Sequence, residues 1–340
     1  MKLDETSTAA VGTRSKKRKK HRPRVVIVSA MPTELQRFVD RLPLGEALHF
    51  PGGSDQLYQN TTLGVLGMVT GEGLRKASIA VTALGYDARF DLTESFWLFA
   101  GIAGVDPLRG SVGSAFWARS LVHGDVGNQF DAREIPASWN GTTMLPKNRD
   151  APFAAPAPSA DERRGVVFDL SLAGYAYELT KGVPLDDTDG LRELRGGFPA
   201  GSPAAQPPSV GLGNVVTTNL FWAGDYLTAW ARQWHDFYVQ DDAVPFVSTA
   251  EEDTAVAEAL DALARAGRAR PSAQRLMVLR TASDYSAPPP GTDVVDWFFH
   301  SDTHFASGPA FEAAYKIGSK VVFDLIGKGK KVVGGGASAE

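Results

Sequence analysis

The chain has 340 residues, 43% of them hydrophobic, so it can bury a large core in one domain or in two smaller ones. Its formal net charge of −4 argues against a nucleic-acid-binding protein, because neutralising phosphates requires a broad basic face. It contains no cysteine, which excludes disulfides, thiolate nucleophiles and thiolate metal ligands.

The two ends of the chain differ in composition from the rest. A basic run, SKKRKKHRPR, precedes an apolar stretch too short for a secretory signal, and residues 1–23 are predicted to form a disordered basic tail. A nuclear-localisation or anionic-surface role is the alternative, on charge clustering alone. Residues 328–340 are glycine-rich and are predicted to form a flexible tail. Because no apolar run approaches about 18–20 residues, we predict no membrane span and a cytoplasmic location.

Between these ends, strand-like and helix-like segments alternate. In chain order we predict a strand over Arg24–Ala30, a helix over Pro32–Leu42, a strand in TLGVLGMVTG, a helix in LRKASIAVTALGY, a strand over Ser95–Gly104 that breaks into a glycine turn, a strand over Gly110–Asp125, a helix over Thr249–Gly267, a strand in RLMVLRTASD and a closing helix over Pro309–Ile326. This alternation predicts a single α/β domain over residues 24–327, with a mixed, largely parallel central sheet flanked by helices.

A segment from about residue 136 to 212 has a different composition. DAPFAAPAPSADERR and RGGFPAGSPAAQPPSVG are rich in Pro, Ala, Gly and Ser and are predicted to be loops, with one helix, FDLSLAGYAYELTKG, between them. We interpret this segment as a loop-rich insertion in the domain, with a lid as one role for it.

Polar residues follow several predicted strands, where functional groups gather in open α/β sheets. Glu34 follows the first strand in SAMPTE, the second strand ends in TGEG, the third in AGIAGVDP and the late strand in RTASD. Each acidic residue has a structural explanation by itself: Glu34 suits an early helical turn, and Glu251, Glu252 and Asp253 suit the positive end of the long helix.

Taken in chain order, these segments resemble the nucleoside phosphorylase and nucleosidase superfamily. VVIVSAMPTE, GMVTGEGLRKASIAVTAL, LFAGIAGVDPLRGSVGSAFWA, STAEEDTAVAEAL and LRTASD carry the resemblance. The chain is most similar to the group labelled purine nucleoside permeases, through FDLTESFWLFAGIAGVDP, FDAREIPASW, TAEEDTA and LRTASDYSAPPP, over about residues 24–326. The resemblance implies a nucleoside phosphorylase-like fold, cleavage of a purine N-glycosidic bond, and a homo-oligomer, either a dimer or a trimer. Without a spanning segment, any role in nucleoside uptake would be indirect.

The resemblance implies roles for several acidic residues. Asp284 matches the acid that protonates or hydrogen-bonds purine N7, which requires burial to raise its pKa, and Ser283 could orient its carboxyl group. Glu252, assisted by Glu251, matches the carboxylate that binds the ribose hydroxyls. Glu34 matches the residue that activates or positions the attacking water.

The resemblance also implies contacts to the base. Phe221 and Trp222 match the segment that packs aromatic rings against the base, although core aromatics at the start of a helix would look the same. Asn219 stands where relatives carry aspartate, so a base-edge contact there stays open. Further substrate contacts are expected from Arg280, Gly101, Ala103 and Gly104.

The nucleophile is water or phosphate. Phosphorolysis requires cationic and hydroxyl donors for the anion, but Phe99 and Ile102 stand where bacterial hexameric phosphorylases carry Arg and Ser. The remaining candidates for holding an anion are Arg280, Thr70, Gly71 and Gly73. Because Glu34 is retained, we favour hydrolysis, with phosphorolysis and nucleoside binding without turnover as the alternatives.

Other classes of protein fit less well. TGEG lacks the third glycine of a dinucleotide site, and the Gly-x-Ser-x-Gly elbow of serine hydrolases is absent. His300, Asp302 and His304 lie in a predicted polar loop without the helical spacing that would hold a metal. We interpret Arg133 as a structural ion-pair partner. The sequence therefore predicts neither metal nor cofactor, with phosphate as the one potential co-substrate.

Overall fold

The computed structural model describes residues 20–300 and 305–327. Within these ranges the strands are β1 (Val25–Ser29), β2 (Glu46–Phe50), β3 (Asp55–Asn60), β4 (Val65–Val69), β5 (Phe96–Val105), β6 (Ala115–Trp117), β7 (Ser120–His123), β8 (Gly127–Gln129), β9 (Met144–Pro146), β10 (Val167–Asp169), β11 (Val210–Leu212), β12 (Asn214–Thr217), β13 (Phe246–Ala250) and β14 (Leu276–Tyr285). The helices are α1 (Pro32–Arg41), α2 (Leu74–Tyr86), α3 (Ala160–Arg163), α4 (Ala173–Thr180), α5 (Asp189–Arg195), α6 (Asp225–Val239), α7 (Asp253–Arg265), α8 (Ser272–Arg275), α9 (Val294–His300) and α10 (Ser307–Gly327).

A 12-stranded mixed sheet organises these elements. Its main path runs β10-β7-β12-β13-β5-β1-β4-β3-β2. The pairs β7–β12, β12–β13, β5–β1 and β1–β4 are parallel, and β14 runs parallel to β5 over most of its length. Antiparallel pairs lie at both edges and where β13 meets β5. The predicted α/β domain with a mixed, largely parallel sheet is therefore confirmed.

Helices cover both faces of this sheet. On one face, α2 and α7 pack together through a buried cluster that includes Val81 and Leu260. On the other, α1 and α10 pack over the centre through Phe38 and Val321. Strand β1 is buried at every position because both of its faces are covered, which explains its unbroken apolar run VVIVS.

Three predicted boundaries are corrected. Strand β5 continues through the glycine-rich segment to Val105 instead of turning, because β14 pairs with it along that whole length. The single strand predicted over Gly110–Asp125 is two strands, since β6 pairs with β14 and β11 whereas β7 pairs with β12 and β10. The helix predicted from Thr249 begins only at Asp253, because β13 continues to Ala250.

The insertion is joined to the main sheet more closely than its composition predicts. Strand β10 pairs with β7 and β11 with β6, so the predicted helix FDLSLAGYAYELTKG is in fact a strand followed by α4. Trp117 donates a hydrogen bond to the Thr180 hydroxyl at 2.8 Å, and the Tyr285 hydroxyl donates to the Ala204 carbonyl at 2.7 Å. These bonds fix the insertion to β6 and β14.

The predicted tails lie largely outside the described residues. At the amino-terminal boundary, His21 already forms a bridge to Phe90, so packing against the domain begins before Arg24. Residues 1–19 and 328–340 are not described, and the tail predictions stay untested there. Among the described residues, no helix is both long and apolar enough to cross a bilayer.

Candidate active site

A cavity of about 250 Å³ lies where β1, β5, β12, β13 and β14 end. The predicted site residues that line it are Glu34, Ala103, Gly104, Phe221, Trp222, Glu251, Glu252, Arg280, Ser283 and Asp284. Residues that line it without having been predicted as site residues include Met31, Glu72, Thr218, Thr249 and Phe305. The strand ends thus bring together acidic side chains that are up to 250 residues apart in sequence.

Glu34 is held by backbone amides in the first turn of α1. Its Oε2 accepts hydrogen bonds from the N–H groups of Ala30 and Met31 at 2.8 and 2.9 Å, and its Oε1 accepts from Ile102 at 2.8 Å. The side chain therefore ties the end of β1 to β5. Burial raises the pKa of Glu34 to about 7, against the opposing effects of Arg280 and the amides. Near neutral pH this carboxyl group can both take up and release a proton.

Asp284 reaches the cavity through an irregularity in β14. The register against β5 shifts between Ala282 and Asp284, so the bulge changes which side chains face the cavity. The Ser283 hydroxyl donates to Asp284 Oδ1 at 2.7 Å, which supports the orienting role predicted for it. Burial raises the pKa of Asp284 to about 7, and the Ser283 hydrogen bond opposes part of this rise. A protonated, proton-donating Asp284 is therefore populated near neutral pH.

Two glycines of β5 make room for these side chains. A Cβ at Gly104 would lie 3.1 Å from Asp284 Oδ2 and 3.0 Å from the Thr249 hydroxyl. A Cβ at Gly101 would lie 2.5 Å from Arg280 Nη1 and 3.0 Å from Glu34 Oε1. Their role is close approach to the strand, not the turn that we predicted.

Arg280 is the centre of a buried ionic network. Its Nη2 lies 3.0 Å from Glu252 Oε2 and 2.7 Å from Asp253 Oδ1, and Nη1 donates to the Ile102 carbonyl at 2.9 Å. The Phe99 ring lies beneath the guanidinium, 4.5 Å from Cζ to the ring centroid. Burial lowers the pKa of Arg280, but the two carboxylates more than reverse this, so it stays charged. Its charge is thus already matched by protein carboxylates.

Asp253 was assigned by sequence to the helix dipole alone, and its pairing with Arg280 was missed. It is fully buried, and burial raises its pKa while Arg280 opposes the rise. Asp253 is not among the cavity-lining residues. Asp253 holds Arg280, which in turn positions Glu252. The spacing of residues in a single sequence does not indicate a buried ion-pair partner of this kind.

The loop predicted to hold an anion is occupied by a carboxylate. The Gly73 N–H donates to Glu252 Oε1 at 3.0 Å, and the Thr70 hydroxyl donates to the Gly71 carbonyl at 2.8 Å. Thr70, Gly71 and Gly73 are also outside the lining of the cavity. This geometry positions Glu252 and does not favour the predicted anion nest.

Glu251 adds a further acid with an altered pKa. Burial, with repulsion from Glu252 and Glu72, raises the pKa of Glu251 to about 7. Among the described residues that line the cavity, Arg280 is the only one with a permanent positive charge. The cavity is therefore acidic, and it disfavours an anionic substrate or co-substrate.

Aromatic residues form one side of the cavity. Phe221 and Trp222 lie in a loop before α6, so the alternative of core aromatics at the start of a helix does not apply to them. Phe221 is 47% exposed, and its ring centroid lies 6.3 Å from that of Phe305. Asn219 does not line the cavity; its N–H donates to Asp125 Oδ2 at 2.6 Å. The base-edge contact left open for Asn219 is therefore not supported.

Neither His300 nor Arg133 lines the cavity. His300 is the last residue of α9 rather than part of a loop, and its ring lies 3.1 Å from Asp296, whereas Asp302 and His304 are outside the described residues. Arg133 pairs with Asp131 at 2.8 Å on the surface, as predicted. Within residues 20–300 and 305–327, no group of three His, Asp or Glu side chains is arranged to hold a metal.

Two solved structures with the same fold are nucleosidases. The 5'-methylthioadenosine/S-adenosylhomocysteine nucleosidase of Colwellia psychrerythraea, solved with adenine, matches with a TM-score of 0.55 at 15% identity, covering 90% of this chain and 96% of that one. The corresponding enzyme of Neisseria meningitidis, solved with methylthio-immucillin-A, matches with a TM-score of 0.53 at 15% identity, covering 89% and 99%. The fold is therefore that of the nucleosidase class.

The family follows from the sequence comparison. The model of the purine nucleoside permease (NUP) family matches residues 22–332, and the chain belongs to that family. A probable purine nucleoside permease of Schizosaccharomyces pombe is 26% identical over 323 residues, covering 91% of each chain. A purine nucleoside permease of Candida albicans is 24% identical over 321 residues, covering 92% of this chain and 77% of the relative.

Proposed function

We propose that this protein cleaves the N-glycosidic bond of a purine or purine-like nucleoside, with water as the preferred nucleophile. One observation carries the proposal: Asp284 and Glu34, both buried and both with a pKa raised to about 7, line the same cavity as Glu252. A proton donor, a proton acceptor and a carboxylate suited to a diol then surround one substrate-sized space.

Bond cleavage begins at the base. Protonated Asp284 donates to purine N7, so the electron pair of the C1′–N9 bond can move into the ring and the base leaves as a neutral purine. The sugar becomes oxocarbenium-like at C1′. Glu252 accepts hydrogen bonds from the ribose hydroxyls, and its negative charge stabilises the positive charge that develops on the sugar.

Addition of water completes the reaction. Ionised Glu34 accepts a proton from the water that attacks C1′, forming ribose. After one turnover, Asp284 has lost a proton and Glu34 has gained one, so exchange with solvent resets both groups. Oε2 accepts two backbone hydrogen bonds and Oε1 accepts one, which fixes the carboxylate and leaves a lone pair on Oε1 for the water.

The charge of the cavity supports water over phosphate. The guanidinium of Arg280 is bonded to Glu252 and Asp253, and the Gly73 amide is bonded to Glu252. An incoming phosphate would have to displace these carboxylates. The test is to incubate inosine, adenosine or guanosine with and without phosphate and to measure free ribose and ribose 1-phosphate. We expect ribose in both mixtures; a strict phosphate requirement would make the protein a phosphorylase.

The relatives are named permeases, which favours a second candidate function: this protein binds a nucleoside without cleaving it and contributes to nucleoside uptake. Calorimetric titration with inosine, combined with product analysis, distinguishes the two functions. Tight binding with no free purine after long incubation would support the binding protein, whereas release of purine supports the enzyme.

We include a homo-oligomer, either a dimer or a trimer, in the proposal because the superfamily resemblance implies one. Val295 and Phe299 on α9 are 55% and 71% exposed, and they are candidates for a contact between copies. Light scattering coupled to gel filtration gives the mass directly. A 36.4 kDa species at micromolar concentration would rule out a stable oligomer.

A further inference from the structure

A second cavity, of about 360 Å³, adjoins the candidate active site. The two cavities share Thr218, Leu220, Phe221 and Trp222, so one short loop separates them. The opposite walls of the second cavity are the first two turns of α6 and residues 140–144 of the predicted insertion.

Two tryptophans in its lining have unused hydrogen-bond donors. The indole N–H groups of Trp222 and Trp230 are buried and have no acceptor among the described residues. Trp230 is only 7% exposed, whereas its neighbour Trp234 donates to the His123 carbonyl at 3.0 Å. A buried donor without an acceptor destabilises a folded protein unless a ligand supplies one. Both tryptophans line the second cavity, where a ligand with a hydrogen-bond acceptor would supply the missing partner.

The remaining lining defines the chemistry of that ligand further. Tyr226, Trp222 and Trp230 offer aromatic surface, and Gln129 and Gln233 offer amide groups. Asp125 contributes a carboxylate, and none of the described lining residues carries a positive charge. A flat, uncharged group that carries a carbonyl or ether oxygen fits this combination, whereas an anionic group does not.

The shared loop places this ligand at the base of the nucleoside. This step rests on the proposed function, in which Asp284 contacts the base while Glu34 and Glu252 act at the sugar. Phe221 and Trp222 of the shared loop line the same cavity and offer the aromatic surface against which a base packs. A substituent on the base that passes this loop enters the second cavity. The loop is fixed from that side, since the Asn219 N–H donates to Asp125 Oδ2 at 2.6 Å.

We propose that the preferred substrate is a purine nucleoside whose base carries a planar, uncharged substituent with an acceptor oxygen, and that this substituent occupies the second cavity against Trp230. The insertion then has a role in specificity. The Phe130 N–H donates to the Thr143 carbonyl at 2.9 Å beside the β8–β9 pair, which joins FDAREIP to the cavity wall.

The test compares three nucleosides on the full chain. N6-benzyladenosine adds a phenyl ring to adenosine, and N6-benzoyladenosine adds a carbonyl oxygen beside that ring. The value of kcat/KM is measured for adenosine and for both N6 compounds. The wild type should prefer N6-benzoyladenosine to adenosine. Trp230→Phe keeps a ring but removes the N–H, so the benzoyl-to-benzyl ratio of kcat/KM should fall by about fivefold while adenosine cleavage is unchanged. Because the ratio is compared between proteins, the intrinsic reactivity of the two bases cancels.

A second variant and a positional control complete the test. Ala229→Phe adds a ring to the lining of the second cavity, away from the catalytic carboxyls, and should reduce cleavage of both N6-substituted nucleosides while leaving cleavage of adenosine unchanged.

If cleavage of 5′-O-benzoyladenosine, rather than of the base-substituted compound, depends on Trp230, the assignment to the base is overturned. Cleavage of adenosine without preference for either N6 compound would overturn the inference and leave the proposed function intact. If no nucleoside is cleaved, the proposed function fails. The inference is then tested by binding, with the Kd of each N6 compound measured for the wild type and for Trp230→Phe in place of kcat/KM.

Discussion

At the scale of single residues, the proposed reaction depends on how far burial raises the pKa of two carboxyl groups. Asp284 and Glu34 have ordinary acid chemistry in water, and both become proton carriers at neutral pH only inside the folded protein. The family resemblance predicted both residues, and they meet because strand ends in an α/β sheet lie at one edge. Asp253, which pairs with Arg280, and Glu72, which helps to raise the pKa of Glu251, were not predicted as site residues because no local spacing marks a long-range contact.

Removing the acidic proton of Asp284 tests its role. Asp284→Asn keeps the shape of the side chain but cannot transfer a proton to N7, so kcat for inosine should fall by about 10²–10⁴-fold. Steady-state kinetics gives the loss, and calorimetric titration checks that inosine still binds. A loss below about tenfold, with binding unchanged, would remove Asp284 from the role of acid.

The space beside Gly104 provides an independent test. Gly104→Ala would introduce a Cβ 3.1 Å from Asp284 Oδ2 and 3.0 Å from the Thr249 hydroxyl, so the acid should be displaced and kcat should fall by at least about tenfold. Gly190→Ala is the matched control, because a Cβ there has no atom within 4 Å among the described residues. Equal activity of the two variants would contradict the close approach.

At the scale of elements, Arg280 joins β14 to the start of α7 and to β5. It is 2% exposed and its partner Asp253 is fully buried, so this pair is part of the core of the site. The composition of β14 predicted a buried strand, and the network explains why that strand tolerates an arginine. Elsewhere, the three-residue strand β10 was missed because its last two residues begin a helix-like segment, and β11 was missed because its Pro- and Gly-rich surroundings indicate a loop. Tertiary pairing overrides local preference at both strands.

Loss of the Arg280 charge should destabilise the fold as well as the site. Arg280→Met leaves Asp253 and Glu252 buried without their partner, so the free energy of unfolding should fall by about 3–5 kcal/mol. Urea denaturation followed by tryptophan fluorescence measures this change. Arg133→Met removes a surface pair whose arginine side chain is 88% exposed, and its midpoint should match the wild type. Comparable midpoints for the two variants would show that the buried network is not needed for stability.

At the scale of the whole molecule, the sheet brings Asp284 of β14 and Glu34 of α1 to one cavity. The insertion forms part of the wall of a second cavity beside it. The alternation of strand-like and helix-like segments was sufficient to predict the α/β class, because alternating strands and helices are typical of a largely parallel sheet covered by helices. The second cavity could not be predicted from sequence, since its lining combines β8, the insertion and α6, which no motif connects.

The most direct test of the central claim is the pH dependence of kcat/KM for inosine. Below about pH 7, Glu34 becomes protonated and stops acting as the base; above about pH 7, Asp284 loses the proton that it must donate. We expect a narrow bell centred near pH 7, falling by about tenfold per pH unit on the outer part of each side. A profile that is flat from about pH 5 to 9, or that has only one falling side, would contradict an acid and a base working together in this cavity.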